Sequence, residues 1–250
     1  MTEPVTAKDE ITNPKNRIIV ALDVESAGEA REIIGEIGED VGAFKIGLQL
    51  FTSAGASFVR EIVEKGIKIF LDLKFHDIPN TVAKASIEAA RLGVWMFNIH
   101  ALGGGEMMRR TVSEVTEVCE KEKMSKPKII GVTILTSANQ ETLHEIGIQR
   151  EINRQVLDLA KLSARCGLDG VVASPQETLM IRQSIESRDF LIVTPGIRPT
   201  FATNDDQKRV MTAKEAVFQG ANYLVVGRPV LQSKDKLKAV KAILAEIETE

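Results

Sequence analysis

Between Leu71 and Val82 the chain reads LDLKFHDIPNTV, which sets two carboxylates and an ammonium, Asp72, Lys74 and Asp77, within six positions ahead of a Pro-Asn-Thr turn. The residues leading into it, IKIFLDLK, are rich in β-branched and aromatic side chains and read as a strand. Side chains alternate along a strand, so Phe70, Asp72 and Lys74 share one face and Leu71 and Leu73 the other. An acid and a base then point the same way out of apolar surroundings, where an unpaired charge is costly or shifts its pKa. Such a pair is either mutually neutralised or there for chemistry: an ammonium held in this way can stabilise developing negative charge and deliver a proton. Asp77 lies past the expected strand end. Ile78-Pro79 breaks the run ahead of a helix expected near Thr81, so a loop sets the direction of its carboxylate.

The elements that must position these groups repeat along the chain. RIIVALDV, AFKIGLQLF, IKIFLDLK, WMFNIHA, KIIGVTILTS, GVVASP, FLIVTPGI and YLVVGRPV read as eight buried strands. Helical segments separate them, three opened by capping-box patterns at Ser26-Ala-Gly-Glu29, Ser174-Pro-Gln-Glu177 and Thr212-Ala-Lys-Glu215, and others running to about Lys65, over Thr81 to Leu92, over about Gly105 to Lys123 and from near Arg150. Strands that are near-continuous apolar runs, each followed by a helix, indicate a parallel sheet covered by helices. Eight units favour a closed (β/α)₈ TIM barrel, an α/β fold. With 250 residues and 44% apolar content the chain suits one such domain, expected over residues 17–250 behind a polar arm at 1–16. No GxGxxG follows the first strand, and Gly103-Gly-Gly105 lacks that spacing, so it reads as a loop leading into a helix.

Barrels of this kind build their sites at the C-terminal ends of several strands. Asp23 is expected to end strand 1, Lys45 lies in strand 2, Asp72 and Lys74 end strand 3, Thr136 ends strand 5, Arg198 follows strand 7, and Gly227-Arg228 ends strand 8. Singly, each is ordinary: an aspartate after a strand is commonly a turn residue, and a strand lysine can extend its stem to solvent. Their convergence at one end of six strands points to function. Phosphate sites in barrels lie after strands 7 and 8, where a guanidinium at Arg198 and backbone N–H groups near Gly227 and Arg228 can grip a dianion. The long polar connection IRPTFATNDDQKRVM, containing Gln207, is expected to act as a lid.

Composition narrows the rest. A net charge of −3 with both signs interspersed gives no basic stripe for nucleic acid or an anionic membrane. Cys119 and Cys166 fit no metal or redox spacing, and are expected as buried thiols. His100 is expected as a packed, hydrogen-bonded core residue. His76 is expected to point away from Asp77, and His144 to sit in a polar loop. Lysines at 45 and 74 oppose a bound cation. The polar N-terminus has no signal-like apolar segment and no run approaches a membrane span, so a cytoplasmic protein is expected.

On ALDV (Asp23), FKIG (Lys45), DLKFHDIPNT (Asp72 to Thr81), LTS (Thr136), TPGIRP (Arg198), DDQKR (Gln207) and VVGRP (Gly227, Arg228), the chain closely resembles the bacterial orotidine 5′-phosphate decarboxylase family. The resemblance spans nearly the whole chain; the N-terminal arm lies outside it. It implies a homodimeric barrel that converts orotidine monophosphate to uridine monophosphate and carbon dioxide, completing UMP, without metal or organic cofactor. It further implies that Asp23 and Lys45 hold the ribose and that Asp72 and Lys74 do chemistry, Lys74 as proton donor. Asp77 and Thr81 would reach into the partner's site, Thr136 would contact the pyrimidine, and Arg198, Gly227 and Arg228 the phosphate, with Gln207 bridging base and phosphate. Related metal-dependent sugar-phosphate decarboxylases and hexulose-phosphate synthases share the acid-x-Lys-x-x-acid pattern but carry a carboxylate where Lys45 stands. A Schiff-base aldolase would need a neutral lysine, which flanking carboxylates oppose. A catalytically silent nucleotide-binding barrel would have no use for Asp72, Lys74 and Asp77 together.

Overall fold

The computed structural model describes residues 13–187, 189–200 and 211–248. Eight parallel strands close into a barrel in chain order: β1 (Ile18–Ala21), β2 (Ala43–Gly47), β3 (Ile69–Phe75), β4 (Met96–His100), β5 (Lys128–Val132), β6 (Gly170–Val172), β7 (Leu191–Thr194) and β8 (Tyr223–Val226), with β8 pairing back onto β1. The expected single (β/α)₈ barrel is the observed architecture. Alternation along each strand divides the core in two. Ile18, Val20 and Leu22 face the surrounding helices, whereas Ile19 and Ala21 join Phe70, Met96, Leu191, Val193 and Tyr223 inside the barrel. Trp95 meets Tyr223 edge-on, with ring centroids 5.1 Å apart.

The outer layer comprises α1 (Ala27–Ile37), α2 (Leu48–Glu64), α3 (Pro79–Arg91), α4 (Gly104–Glu122), α5 (Gln140–Glu145), α6 (Ile152–Arg165), α7 (Pro175–Ser184), α8 (Ala213–Phe218), α9 (Arg228–Leu231) and α10 (Lys236–Glu248). Ser26 caps α1 by accepting from Glu29 N–H, and Thr212 opens α8 with a full capping box, whereas at the start of α7 only the Glu177 arm forms, accepting from Ser174 N–H at 2.8 Å. Several boundaries differ from expectation, with β1, β7 and β8 ending at Ala21, Thr194 and Val226, short of Asp23, Ile197 and Gly227. The helix after β3 starts at Pro79, not near Thr81, because proline's fixed φ and missing N–H suit the first helical position. The β5–β6 connection carries two helices, the first opened by an Asn139 capping box with Thr142. β5 ends at Val132, so Thr136 lies four residues into a loop and does not end the strand. At the N-terminus, Asn13 caps a 3₁₀ turn, Pro14–Arg17, that straddles the expected start of the barrel. Arg17 Nη1 donates to Ala221 O at 3.3 Å. No helix among the described residues is long and apolar enough to cross a membrane.

Candidate active site

The C-terminal ends of the strands open into a pocket of about 250 Å³. Asp23, Lys45, Asp72 and Lys74 line it together with Arg198, Gly227 and Arg228, and Thr136 reaches it from the β5 loop. Phe70, Ile134 and Val225 supply apolar wall. The sequence-derived alternation thus holds for Phe70, Asp72 and Lys74, which share the pocket. Asp23 lies two residues past the end of β1 and Gly227 one past β8, neighbouring strands across the barrel's closure.

Four charges of alternating sign run along the pocket floor. Lys45 Nζ lies 3.0 Å from Asp23 Oδ1 and 3.3 Å from Asp72 Oδ2, and Lys74 Nζ lies 2.7 Å from Asp72 Oδ1. Lys45 and Asp72 are each only 9% exposed, so the centre of the network is a buried ion pair that needs its partners, while Lys74 is half-buried and Asp23 exposed. Burial by itself pulls the Lys45 ammonium down, but Asp72 and Asp23 outweigh it and hold the group above the ordinary lysine value. Burial likewise pushes the Asp72 carboxyl up, and the two lysines, with hydrogen bonds from Lys74 and Asn98, reverse this to leave it below its usual range. Both groups are therefore charged at neutral pH. β2 ends on Gly47, where a methyl group would lie 3.0 Å from Lys45 Nζ.

Two residues escaped the sequence reading. Asn98, in the apolar run of β4, is 1% exposed; its Nδ2 donates to Asp72 Oδ1 at 2.7 Å and its Oδ1 accepts from Lys74 N–H at 2.8 Å. The signal was present, since a primary amide in a buried strand is costly unless it is fully hydrogen-bonded. Gly47 was read only as part of FKIG, and its closeness to Lys45 depends on the strand's end geometry.

Asp77 and Thr81 are exposed and line no part of their own chain's pocket. Asp77 Oδ1 accepts from the adjacent Ile78 N–H at 2.7 Å. Gln207 and most of the connection expected to form a lid lie outside the described residues; the ends of that connection meet where Ile197 bridges Met211 and Arg198 N–H donates to Met211 O at 2.9 Å. Among the described residues no cluster of three or more His, Cys, Asp or Glu is placed to hold a metal.

His100 departs from the hydrogen-bonded core residue expected of it. It is half-buried, its Nδ1 has no hydrogen-bond partner among the described residues, and its ring stands 5.2 Å from that of His76. Burial, with His76 and Lys74 nearby, lowers its pKa from 6.5 to about 4. The unfolded chain therefore binds this proton first as pH falls. The contribution of His100 to stability is complete above about pH 6.5 and is lost as pH drops toward about 4. His100→Gln should lose less stability than the parent between neutral pH and pH near 4.5, as urea midpoints at the two pH values would record; equal losses would assign the acid sensitivity to other groups.

The model of the orotidine 5′-phosphate decarboxylase / HUMPS family matches residues 16–243. Orotidine 5′-phosphate decarboxylase of Geotalea daltonii is 51% identical over 231 residues, 92% of this chain and 95% of the relative, and that of Syntrophotalea carbinolica is 50% identical over 237 residues, 95% and 97%. A crystal structure of orotidine 5′-phosphate decarboxylase from Lactobacillus acidophilus superposes with a TM-score of 0.82 at 37% identity, covering 93% of this chain and 99% of that one. Fold, pocket and matches over nearly the full length agree, and the chain belongs to the orotidine 5′-phosphate decarboxylase / HUMPS family.

Proposed function

We propose that this chain decarboxylates orotidine 5′-monophosphate to uridine 5′-monophosphate and carbon dioxide, completing UMP in de novo pyrimidine biosynthesis, with Lys74 as proton donor. The observation that carries the mechanism is the Asp23–Lys45–Asp72–Lys74 chain, buried at Lys45 and Asp72 and ending in an ammonium at the pocket. When the bond to the carboxylate breaks, carbon dioxide leaves and the electron pair stays on a ring carbon with no adjacent carbonyl to accept it. A fixed positive charge beside that carbon stabilises the pair. Lys74 then gives a proton to the same carbon, forming the C–H bond, and its amine regains a proton from solvent. Asp72 holds both lysines at once through its two oxygens, so the ammonium is oriented before the charge develops.

The remaining assignments follow the pocket's chemistry. The guanidinium of Arg198 and backbone N–H groups at Gly227 and Arg228 suit the phosphate. Asp23 and Lys45 suit ribose hydroxyls, and Thr136 a pyrimidine edge. Gln207, outside the described residues, is assigned to bridge base and phosphate. Grip on the remote phosphate contributes binding energy that can be used to close the site around the reacting ring. Asp77 and Thr81, exposed and outside the lining of their own pocket, are assigned to the site of a second copy in a homodimer. Purified protein should lower the absorbance of orotidine monophosphate and yield UMP; a folded chain that binds UMP but leaves the substrate unchanged would instead be the silent barrel.

The metal-dependent relatives supply a second reading, and Lys45 weighs against it. Its ammonium stands between the Asp23 and Asp72 carboxylates that a divalent ion would need. Exhaustive chelation should therefore leave turnover unchanged. Activity lost with chelator and restored by magnesium would favour the second reading.

A further inference from the structure

β3 and β4 run in step at Phe70–Met96 and Leu71–Phe97, then resume at Phe75–Ile99. Across that gap β3 advances four residues while β4 advances two, so Asp72, Leu73 and Lys74 all stand opposite Asn98. A ladder kept in step would pair Leu73 with Ile99. The two extra residues make β3 bulge where its two functional side chains emerge, as bulges beside functional sites commonly do. Inside the bulge Lys74 has φ +52°, a left-handed conformation that its Cβ disfavours. Something must hold it there, and the bulge also takes the Lys74 N–H out of the ladder, so that it needs another acceptor.

The Asn98 side chain meets both needs. Its Oδ1 accepts the Lys74 N–H at 2.8 Å, and its Nδ2 donates at 2.7 Å to Asp72 Oδ1, the oxygen that also binds Lys74 Nζ. The orientation of the amide is dictated, because a backbone N–H only donates and a carboxylate only accepts. One rigid planar group thus links the backbone of Lys74 to the carboxylate that aims its ammonium. Aspartate at this position would lack the donor, and leucine would lack both.

We propose that Asn98 is a positioning residue for the decarboxylation: it sets the left-handed backbone of Lys74 and orients Asp72, so that the Lys74 ammonium is held at the reacting carbon. This rests on the decarboxylase reading above. Asn98 touches no substrate atom in this scheme, so its removal acts on kcat far more than on nucleotide affinity.

The test compares Asn98→Ala and Asn98→Asp with the parent chain for kcat on orotidine monophosphate, UMP affinity by calorimetry, and kcat against pH. For Asn98→Ala the expected result is a fall in kcat of about 100-fold, the scale of a misplacement near 1 Å, with UMP affinity within about threefold. In Asn98→Asp the acceptor for Lys74 N–H survives and the donor to Asp72 is replaced by a carboxylate. Protonating that introduced carboxyl restores a donor, so kcat relative to the parent should rise as pH is lowered. A purely structural residue would give no such trend, and this arm decides the matter if Asn98→Ala does not fold. The proposal is overturned by a kcat within threefold of the parent in Asn98→Ala, by kcat and UMP affinity falling together by the same factor, or by an Asn98→Asp ratio that is flat with pH. A parent chain with no turnover overturns the decarboxylase reading, whereas an active parent beside an undiminished Asn98→Ala overturns only the positioning role.

Discussion

Lys74→Ala should lose turnover by at least about 10⁴-fold while still binding UMP. The figure combines roughly 10² for a lost charge-stabilising group with roughly 10² for a lost proton donor. The separation from binding follows from the barrel order: Arg198, Gly227 and Arg228 follow β7 and β8, which are not neighbours of the strand that carries Lys74, and Lys45 remains paired with both Asp23 and Asp72. A group that acts only on charge developing in the transition state changes kcat and leaves ground-state affinity largely in place. Steady-state turnover beside calorimetric UMP binding provides the check. Near-normal turnover would remove Lys74 from the role of proton donor, and loss of UMP binding in step with turnover would recast it as a binding residue.

Mixing two damaged chains should restore activity. Asp77 follows Lys74 by three residues, yet the turn at Ile78-Pro79 leaves it exposed and outside its own pocket, with Thr81 beside it on the first turns of α3. The proposed homodimer, with this loop crossing its two-fold axis into the neighbouring site, has two composite sites. A Lys74→Ala chain paired with an Asp77→Ala chain then has one wholly intact site and one doubly damaged site. Random re-association makes half of the dimers mixed, so about a quarter of the parent activity should appear per chain, although each variant by itself is weak. If a mixture shown to contain mixed dimers is no more active than its parents, Asp77 serves its own subunit and the shared-site assignment fails.

Much of this architecture is local information. Each strand announces itself as a short apolar run and several helices by a capping pair such as Thr212 with Glu215, because burial on both faces and unsatisfied helix ends are properties of a few neighbouring residues. The polar residues that end those runs were legible for the same reason: Asp23, Lys45, Asp72, Lys74, Gly227 and Arg228 interrupt strands or follow them within two residues, Arg198 follows β7 by four, and all line the pocket. Thr136 was found as a residue and misplaced as an element, since Ile134 and Leu135 prolong the apolar run beyond the last ladder contact at Val132.

Only the tertiary structure decided how these groups meet. Alternation puts Asp72 and Lys74 on one face, but the two-residue slip between β3 and β4 and the left-handed Lys74 depend on pairing with a strand some twenty-five residues away, and nothing within LDLKFHDIPNTV encodes it. Asn98 stands out in the sequence as an amide in an apolar run, but only that pairing shows what its amide bonds. Closure of the barrel brings β8 beside β1, setting Gly227 near Asp23 across 204 residues of chain, and the turn at Ile78-Pro79 directs Asp77 outward. The sequence by itself determined which residue types stand at the strand ends, because alternation and burial act over a few positions. The register between strands determined which of them touch, because ladder pairing joins segments that are distant along the chain.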